Sequence, residues 1–412
     1  MTSDADIVIA GAGIGGLTAA LALHARGLGA TVLEAAEEIR PLGVGINVQP
    51  AAIAELTSLG LGDALAATGI ATREHLYLDH TGNTLWTEPR GRAAGHAYPQ
   101  YSIHRGELQM LLLQAVRDRL GPDSVRPGIR LESFEHDSSG VRVLARNDSS
   151  GHSVSVTGAA LVGADGLHSQ VRTQLHPDRM ELSGGGVQMW RGLTELDGFL
   201  DGRTMIVAND EHSSRLVAYP VSNRHAAQGR ALLNWVCLVP SPGLPVDAGW
   251  NSVGRLEDLR PYYEHWDFGW IRVTDFLSRS ERILQYPMVD RDPLDHWGEG
   301  RVTLLGDAAH LMYPIGANGA SQAIIDAVTL ASEVSKRGNS MEAALRRYED
   351  IRRPATSAII HANREMDHSE RAMSGRTREA KSSLLRRVTA SYRATVESDS
   401  STEEPEPSGT AS

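Results

Sequence analysis

The spacing of apolar residues changes period twice within the first 34 positions. Ile7-Val8-Ile9-Ala10 is a short unbroken apolar run, as a strand buried on both faces requires. Ile14, Leu17, Ala20, Leu21 and Leu23 then recur at helical spacing, until Gly27 and Gly29 stop the helix. Thr31-Val32-Leu33-Glu34 is apolar again, so the chain opens as strand, helix, strand, the βαβ beginning of a parallel sheet. Helices are predicted over 55–65 and 106–120; in the second, Leu108, Leu111, Leu112, Ala115 and Val116 form one face. Short alternating strands follow, such as Val141-Arg142-Val143-Leu144, and then the apolar run Ala160-Leu161-Val162-Gly163. Between about 185 and 285 the pattern becomes strands parted by turns, with examples over 187–193, 204–208, 216–221 and 232–239. Five of the seven tryptophans fall there, which gives this stretch the aromatic content of a separate antiparallel sheet with its own core. Arg301-Val302-Thr303-Leu304-Leu305 is one more buried strand, followed by helices over 320–336 and from 341 into the 370s.

Three glycine-and-acid motifs sit where predicted strands end. The first is Gly11-Ala12-Gly13-Ile14-Gly15-Gly16, in which Gly11 permits a tight turn and Gly13 lets backbone approach a pyrophosphate. Gly16 allows close packing of helix on strand, and the helix N-terminus faces the phosphates. Glu34 follows 18 residues beyond Gly16, at the distance where an acid accepts the hydroxyls of an adenosine ribose. The second motif is Gly163-Ala164-Asp165-Gly166, and the third is Gly306-Asp307-Ala308-Ala309-His310 with the turn Pro314-Ile315-Gly316-Ala317-Asn318-Gly319-Ala320. A dinucleotide gripped at its start and again some 300 positions later lies stretched out, which is the shape of FAD. Asp307 is placed to hold ribityl hydroxyls. The Gly316–Ala320 turn can aim backbone N–H groups and a helix dipole at the flavin O2/N1 edge, where the reduced ring carries negative charge.

Composition narrows the field. A net charge of −11 and the lack of a basic cluster with interleaved aromatics exclude a nucleic-acid surface. No apolar run reaches the roughly 18–20 residues of a membrane span. The acidic start Thr2-Ser3-Asp4-Ala5-Asp6 lacks signal-peptide regions, and the lone Cys237 permits no intrachain disulfide, so a cytoplasmic protein is expected. No metal-ligand spacing stands out. His310 sits beside the Asp307 motif, where a structural role outweighs an acid–base one.

Read together, the motifs resemble the class A flavoprotein aromatic hydroxylases, the family of 4-hydroxybenzoate and salicylate hydroxylases. The likeness rests on Gly11-x-Gly13-x-x-Gly16, on Asp165-Gly166-Leu167-His168-Ser169-Gln170-Val171-Arg172 and on Gly306-Asp307-Ala308-Ala309-His310, in that order. Within the family, the stretches 38–47, 98–109, 206–212 and 286–294 are similar to the pyocyanin-forming hydroxylases of 5-methylphenazine-1-carboxylate. The resemblance covers roughly 4–365 and implies an α/β fold, 4-hydroxybenzoate hydroxylase-like: a Rossmann-like FAD-binding unit (1–184 and 286–336) with an inserted antiparallel substrate sheet (185–285). The chain pattern adds C-terminal helices (337–396), and the Ser-, Glu- and Pro-rich end is expected to be a disordered tail (397–412). It places Arg105 at the FAD pyrophosphate and Asp165 near it and the nicotinamide route. Gly45, Asn47 and the turn from Pro314 to Gly319 would border the isoalloxazine.

The implied chemistry is reduction of FAD by NAD(P)H, with NADH favoured, addition of O₂ at flavin C4a, and transfer of the hydroperoxide's distal oxygen to an aromatic ring. The cofactor carries that step, so no protein catalytic set is required. The expected partners are the arene acid, O₂ and a transiently bound NAD(P)H; oligomeric state stays open. Alternation places Arg215, Val217 and Tyr219 on one face of a strand, and Met189 and Arg191 on one face of another. Either arginine could bind an arene carboxylate or cover the outside of the sheet. Met205 and Val207 could wall the ring or pack a core, and Pro314 is a further substrate candidate. The leading substrate is a phenazine-1-carboxylate undergoing decarboxylative hydroxylation. A salicylate-like or quinoline-type acid, a flavin oxidase or reductase, and a non-catalytic flavin protein that binds aromatic antibiotics are the alternatives.

Overall fold

Five parallel strands carry the first unit in the computed structural model, which describes residues 6–241, 252–338, 340–372 and 378–398. Their order is Val302–Leu304, Ala160–Gly163, Ile7–Ala10, Ala30–Glu34 and Val125–Pro127. Parallel strands end on a common edge, so the segments that follow them, beginning at Gly11, Ala164 and Leu305, emerge side by side. That topology brings three motifs distant in sequence to one place. Helices Ile14–His24 and Gly319–Ser335 meet there: a Cβ on Gly15 would lie 2.6 Å from the Leu305 side chain and 3.2 Å from Ala323. Both helices bury apolar faces in one core with the sheet.

The second sheet has eight strands, in the order Ser252–Val253, Ile283–Asp290, Ser183–Leu196, Ala231–Pro240, Arg215–Pro220, Thr204–Asn209, Glu74–Asp79 and Thr84–Pro89. The 185–285 segment does not make it alone. Thr204–Asn209 would leave an edge of unpaired backbone groups, and Glu74–Asp79 fills that edge as the sheet's one parallel pairing. One face of the sheet packs on a core that holds Trp190, Trp235, Tyr263, Trp266 and Phe276, under the short helices Leu256–Tyr263 and Val273–Leu277. Cys237 is buried in that core, and burial pushes its thiol pKa up. The opposite face is turned toward the first unit. A three-stranded sheet of Gly45–Val48, Gln100–His104 and Ile70–Thr72 stands between the two.

The helix expected over 55–65 is two helices, Pro50–Ser58 and Gly62–Thr68. Gly60, at φ +76°, takes the left-handed conformation that ends the first. The C-terminal part is the 31-residue helix Met341–Arg371 followed by Arg378–Ser398. The last helix takes in 397 and 398, positions expected in a disordered tail, because Leu384, Val388 and Tyr392 recur every four residues and seat it against the rest. The remainder of that expected tail, 399–412, lies outside the described residues. Among the described residues, no helix is long and apolar enough to cross a membrane, and no His/Cys/Asp/Glu group could hold a metal.

Candidate functional site

A cavity of about 430 Å³ runs between the parallel sheet and the inward face of the eight-stranded sheet, within the size range of small-molecule sites. Its floor is mostly backbone. Gly11 turns at φ +102°, and a Cβ there would lie 2.4 Å from the Ala164 carbonyl oxygen. A Cβ on Gly16 would come within 2.0 Å of the Gly11 oxygen, whereas Gly13 faces open space. Gly13 also caps helix Ile14–His24 without any side-chain hydrogen bond, so the helix's first N–H groups are left for a ligand. Glu34 ends its strand with Oε2 accepting from Ala12 N and Oε1 from Ala36 N, both at 2.8 Å. Gln109 donates to the Ala12 oxygen at 2.8 Å.

The second and third motifs are bound to one another. Asp165 Oδ2 accepts from Gln170 N at 2.8 Å and Val171 N at 3.3 Å, while its buried Oδ1 has no partner, and burial raises its pKa. Arg172, 1% exposed, donates from Nη1 to the carbonyls of Ala308 and Ala309 at 3.0 and 3.1 Å. It thereby grips the helix Asp307–His310, whose Asp307 lines the cavity. Beneath that helix, Asp326 Oδ2 accepts from Gly306 N at 3.1 Å and meets His310 Nε2 at 2.6 Å. Arg352 Nε donates to Asp326 Oδ1 at 2.8 Å. Burial works to raise the Asp326 pKa, but His310 and Arg352 outweigh it and hold the carboxyl below the ordinary range. His310 is thus engaged away from the cavity.

The Pro314 turn has Gly316 at φ +72° and Ala317 at φ +55°, and opens into helix Gly319–Ser335. Gln49 Nε2 donates to the Gly316 oxygen at 3.2 Å, and Asn318 Nδ2 bonds the Tyr392 hydroxyl from the last helix. Asn318 Oδ1 is buried without a partner.

The roof is side chain. Strand register lines up Arg191, Val236, Val217, Val207 and Tyr77 across five adjacent strands, and all five line the cavity. Met205 stands opposite His75, and Leu238 opposite both Met189 and Arg215. The inward face, which alternation alone left open, is therefore the face of both arginines. Their situations differ. Arg215, 6% exposed, donates to Asp367 Oδ1 at 2.8 Å and pairs with Glu370. Burial opposes its charge, yet the two carboxylates raise its pKa. It ties the roof to helix Met341–Arg371, and its charge is met by two protein carboxylates. Arg191 donates from Nη2 to the Gly45 oxygen at 2.7 Å; its Nε is unpartnered, as is that of Arg215, but no carboxylate among the described residues pairs with Arg191. Tyr219 donates its hydroxyl to the same oxygen at 3.0 Å.

Of the residues expected at the site, Gly13, Ile14, Gly45, Asn47, Arg105, Arg191, Met205, Arg215, Tyr219, Asp307, Pro314, Gly316, Gly319 and Ala320 meet in this cavity. Gly11, Gly16, Glu34, Asp165 and Asn318 stand outside its lining. His75, Tyr77, Arg90, Gln100, Met366 and Glu370 line it without having been singled out. Gln100 lay within the shared stretch 98–109, the one available signal; the others carry no local motif.

The residues present fit FAD. Glycine at 11 and 16 lets the turn close on itself, since a Cβ at either would strike backbone of the protein, and it leaves Gly13 facing open space in the cavity; orphaned polar atoms of Asp165 and Asn318 belong to the neighbouring motifs. The model of the FAD binding domain family matches residues 4–228 and 274–363. The phenazine 1,6-dicarboxylic acid hydroxylase PhzS of Lysobacter antibioticus is 64% identical over 396 residues, covering 95% of this chain and 97% of that one. The 3-hydroxybenzoate 6-hydroxylase 1 of Aquipseudomonas alcaligenes is 30% identical, with 86% of each chain covered. Klebsiella pneumoniae HpxO, solved with FAD and uric acid, superposes with a TM-score of 0.77 at 26% identity, over 95% of this chain and 97% of its own.

Proposed function

This chain belongs to the FAD binding domain family and is an FAD-dependent aromatic hydroxylase, and from that premise we propose that it converts a phenazine-1-carboxylate to the corresponding phenol with loss of CO₂. Arg191 carries the reading. It is the roof arginine without an acid partner, placed over Gly45 at the end of an apolar row, as a flat arene with a carboxylate at that end requires. The 64% identity to a phenazine-acid hydroxylase supports the tricyclic ring over a single benzoate ring.

In this reading, the turn from Gly11 to Gly16 and Arg105 hold the FAD pyrophosphate. Glu34 holds the adenosine ribose, Asp165 supports the pyrophosphate side, and Asp307 takes the ribityl chain. Gly45, Asn47 and the turn from Pro314 to Ala320 border the ring. Bound FAD supplies two-electron reduction by NADH and activation of O₂. The chain's own tasks are positioning and exclusion of water. Arg191 orients the carboxylate, while Val207, Val217, Val236 and Met205 hold the ring flat in a dry space. The first turn of helix Gly319–Ser335 would present its positive dipole end to the bound ring, favouring negative charge there. Overall, the arene carboxylate, O₂, NADH and two protons become phenol, CO₂, water and NAD⁺. The carbon–carboxylate bond breaks and a carbon–oxygen bond forms.

The test is anaerobic reduction of the flavoprotein by NADH, with and without 5-methylphenazine-1-carboxylate, followed by air and product mass. Faster reduction with the phenazine, loss of CO₂ and gain of one oxygen are expected. Reduction indifferent to every phenazine acid overturns the substrate assignment, and binding without product points to a non-catalytic aromatic-binding protein.

A further inference from the structure

At the far end of the roof row from Arg191 the cavity has a second polar end, and its hydrogen bonds are incomplete. Four strand spacings of about 4.8 Å, roughly 19 Å of backbone, separate the Arg191 strand from the Glu74–Asp79 strand that carries His75 and Tyr77. Long side chains reaching inward from both ends shorten that span toward the dimensions of a tricyclic arene. The lining between them is apolar: Met205, Val207, Val217 and Val236.

The chemistry at this end is set by a chain of donors. Buried Glu88 accepts from Arg90 Nη2 at 3.0 Å and pairs with Arg393 from the last helix. Arg90 Nε donates to His75 Nδ1 at 3.2 Å. Guanidinium groups only donate, so Nδ1 is the bare nitrogen and the ring proton sits on Nε2. Burial, with the positive charges of Arg90 and Arg393, keeps the ring neutral. His75 Nε2–H then faces the Gln100 amide, whose nearer atom is 3.3 Å away. An N–H needs the amide oxygen opposite it, and a glutamine amide turns end for end to suit its partners. Asn47 Oδ1, at 3.5 Å, is too far to oppose this and already accepts from Ser102 Oγ at 2.6 Å. The other end of the amide is buried with no protein partner, although Gln100 is 1% exposed and lines the cavity. With its oxygen on His75, Gln100 presents an unsatisfied NH₂.

We propose that Gln100 is a substrate-recognition residue, whose amide donates to an acceptor oxygen on the arene ring distal to the carboxylate held by Arg191. Arg90 and His75 are positioning residues that fix which way the amide points. The site therefore favours a dicarboxylated phenazine over a monocarboxylated one. This rests on the phenazine-acid reading above and refines it.

Titration of the holoenzyme with phenazine-1-carboxylate and phenazine-1,6-dicarboxylate, followed through the flavin absorbance, tests the assignment. Wild type binds the dicarboxylate more tightly. Gln100→Leu weakens dicarboxylate binding roughly 10- to 100-fold, the effect of one hydrogen bond to a charged group, and changes the monocarboxylate less than about threefold. Gln100→Glu keeps the volume and removes the donor, so it loses the dicarboxylate at least as strongly. It also carries the test if the leucine variant does not retain FAD. Equal effects on both acids, or a glutamate variant that binds the dicarboxylate like wild type, overturn the role of Gln100 while leaving the phenazine reading intact. If neither acid perturbs the wild-type flavin, the phenazine reading falls and Gln100's role falls with it.

Discussion

The floor and the roof of the cavity solve two recognition problems with different parts of the chain. The floor presents backbone: Gly11, Gly13 and Gly16, a bare helix start, and Gly316 in a left-handed turn. The roof presents side chains from a continuous ladder, with Arg191, Val236, Val217, Val207 and Tyr77 in one row. The turn itself tolerates almost no change at Gly11 and Gly16, because a single Cβ at either strikes neighbouring backbone. Roof positions can change identity while the ladder beneath stays paired. A cofactor shared by many enzymes is held by the first kind of surface, and a substrate peculiar to one of them by the second.

Four substitutions sharpen that contrast, and the largest effect is under the floor. Asp326→Leu leaves the buried Arg352 and His310 without their acid, at a cost of about 3–5 kcal/mol in urea unfolding. The folded-state pKa of Asp326 lies below its ordinary 3.8, so its contribution is complete above that value and is lost as pH falls through the folded one. The wild-type advantage should hold at neutral pH and shrink only in acid; an advantage that shrinks between pH 6 and 8 would contradict the assignment. Gly16→Ala forces a Cβ to within 2.0 Å of the Gly11 oxygen. FAD affinity should fall roughly 5- to 150-fold, in line with strain of about 1–3 kcal/mol, with tryptophan fluorescence from the second core unchanged. Arg191→Met is the reverse case: full flavin content, and phenazine-carboxylate binding weakened about 10- to 100-fold. Loss of flavin there would erase the division between floor and roof. Met205→Leu conserves volume in an apolar wall, so stability should move by less than about 1.5 kcal/mol and substrate affinity by less than about threefold.

What could be read from the chain follows the same division. Each floor motif is contiguous, because a turn between a strand and the next helix is a local object. The roof is not local. Alternation paired Arg215 with Tyr219 and Met189 with Arg191, but the inward face depended on which unit the sheet leans against. His75 reaches the cavity only because Glu74–Asp79 pairs in parallel with Thr204–Asn209, some 130 positions later. The acids that neutralise Arg215, Asp367 and Glu370, sit three apart on a long helix, a spacing shared by solvated helix faces. Gln322 and Asp326, polar positions on the buried side of helix Gly319–Ser335, are the local signal for the network under Gly306.

Arg172 joins two carbonyls 136 and 137 residues further along, so the excursion that builds most of the roof leaves and re-enters the flavin unit at a fixed clamp. A segment held that way at its base can be exchanged between lineages, lengthened or rebuilt without unsettling the nucleotide beneath it. Descent can then keep one cofactor chemistry constant while the excursion alone adapts to new rings.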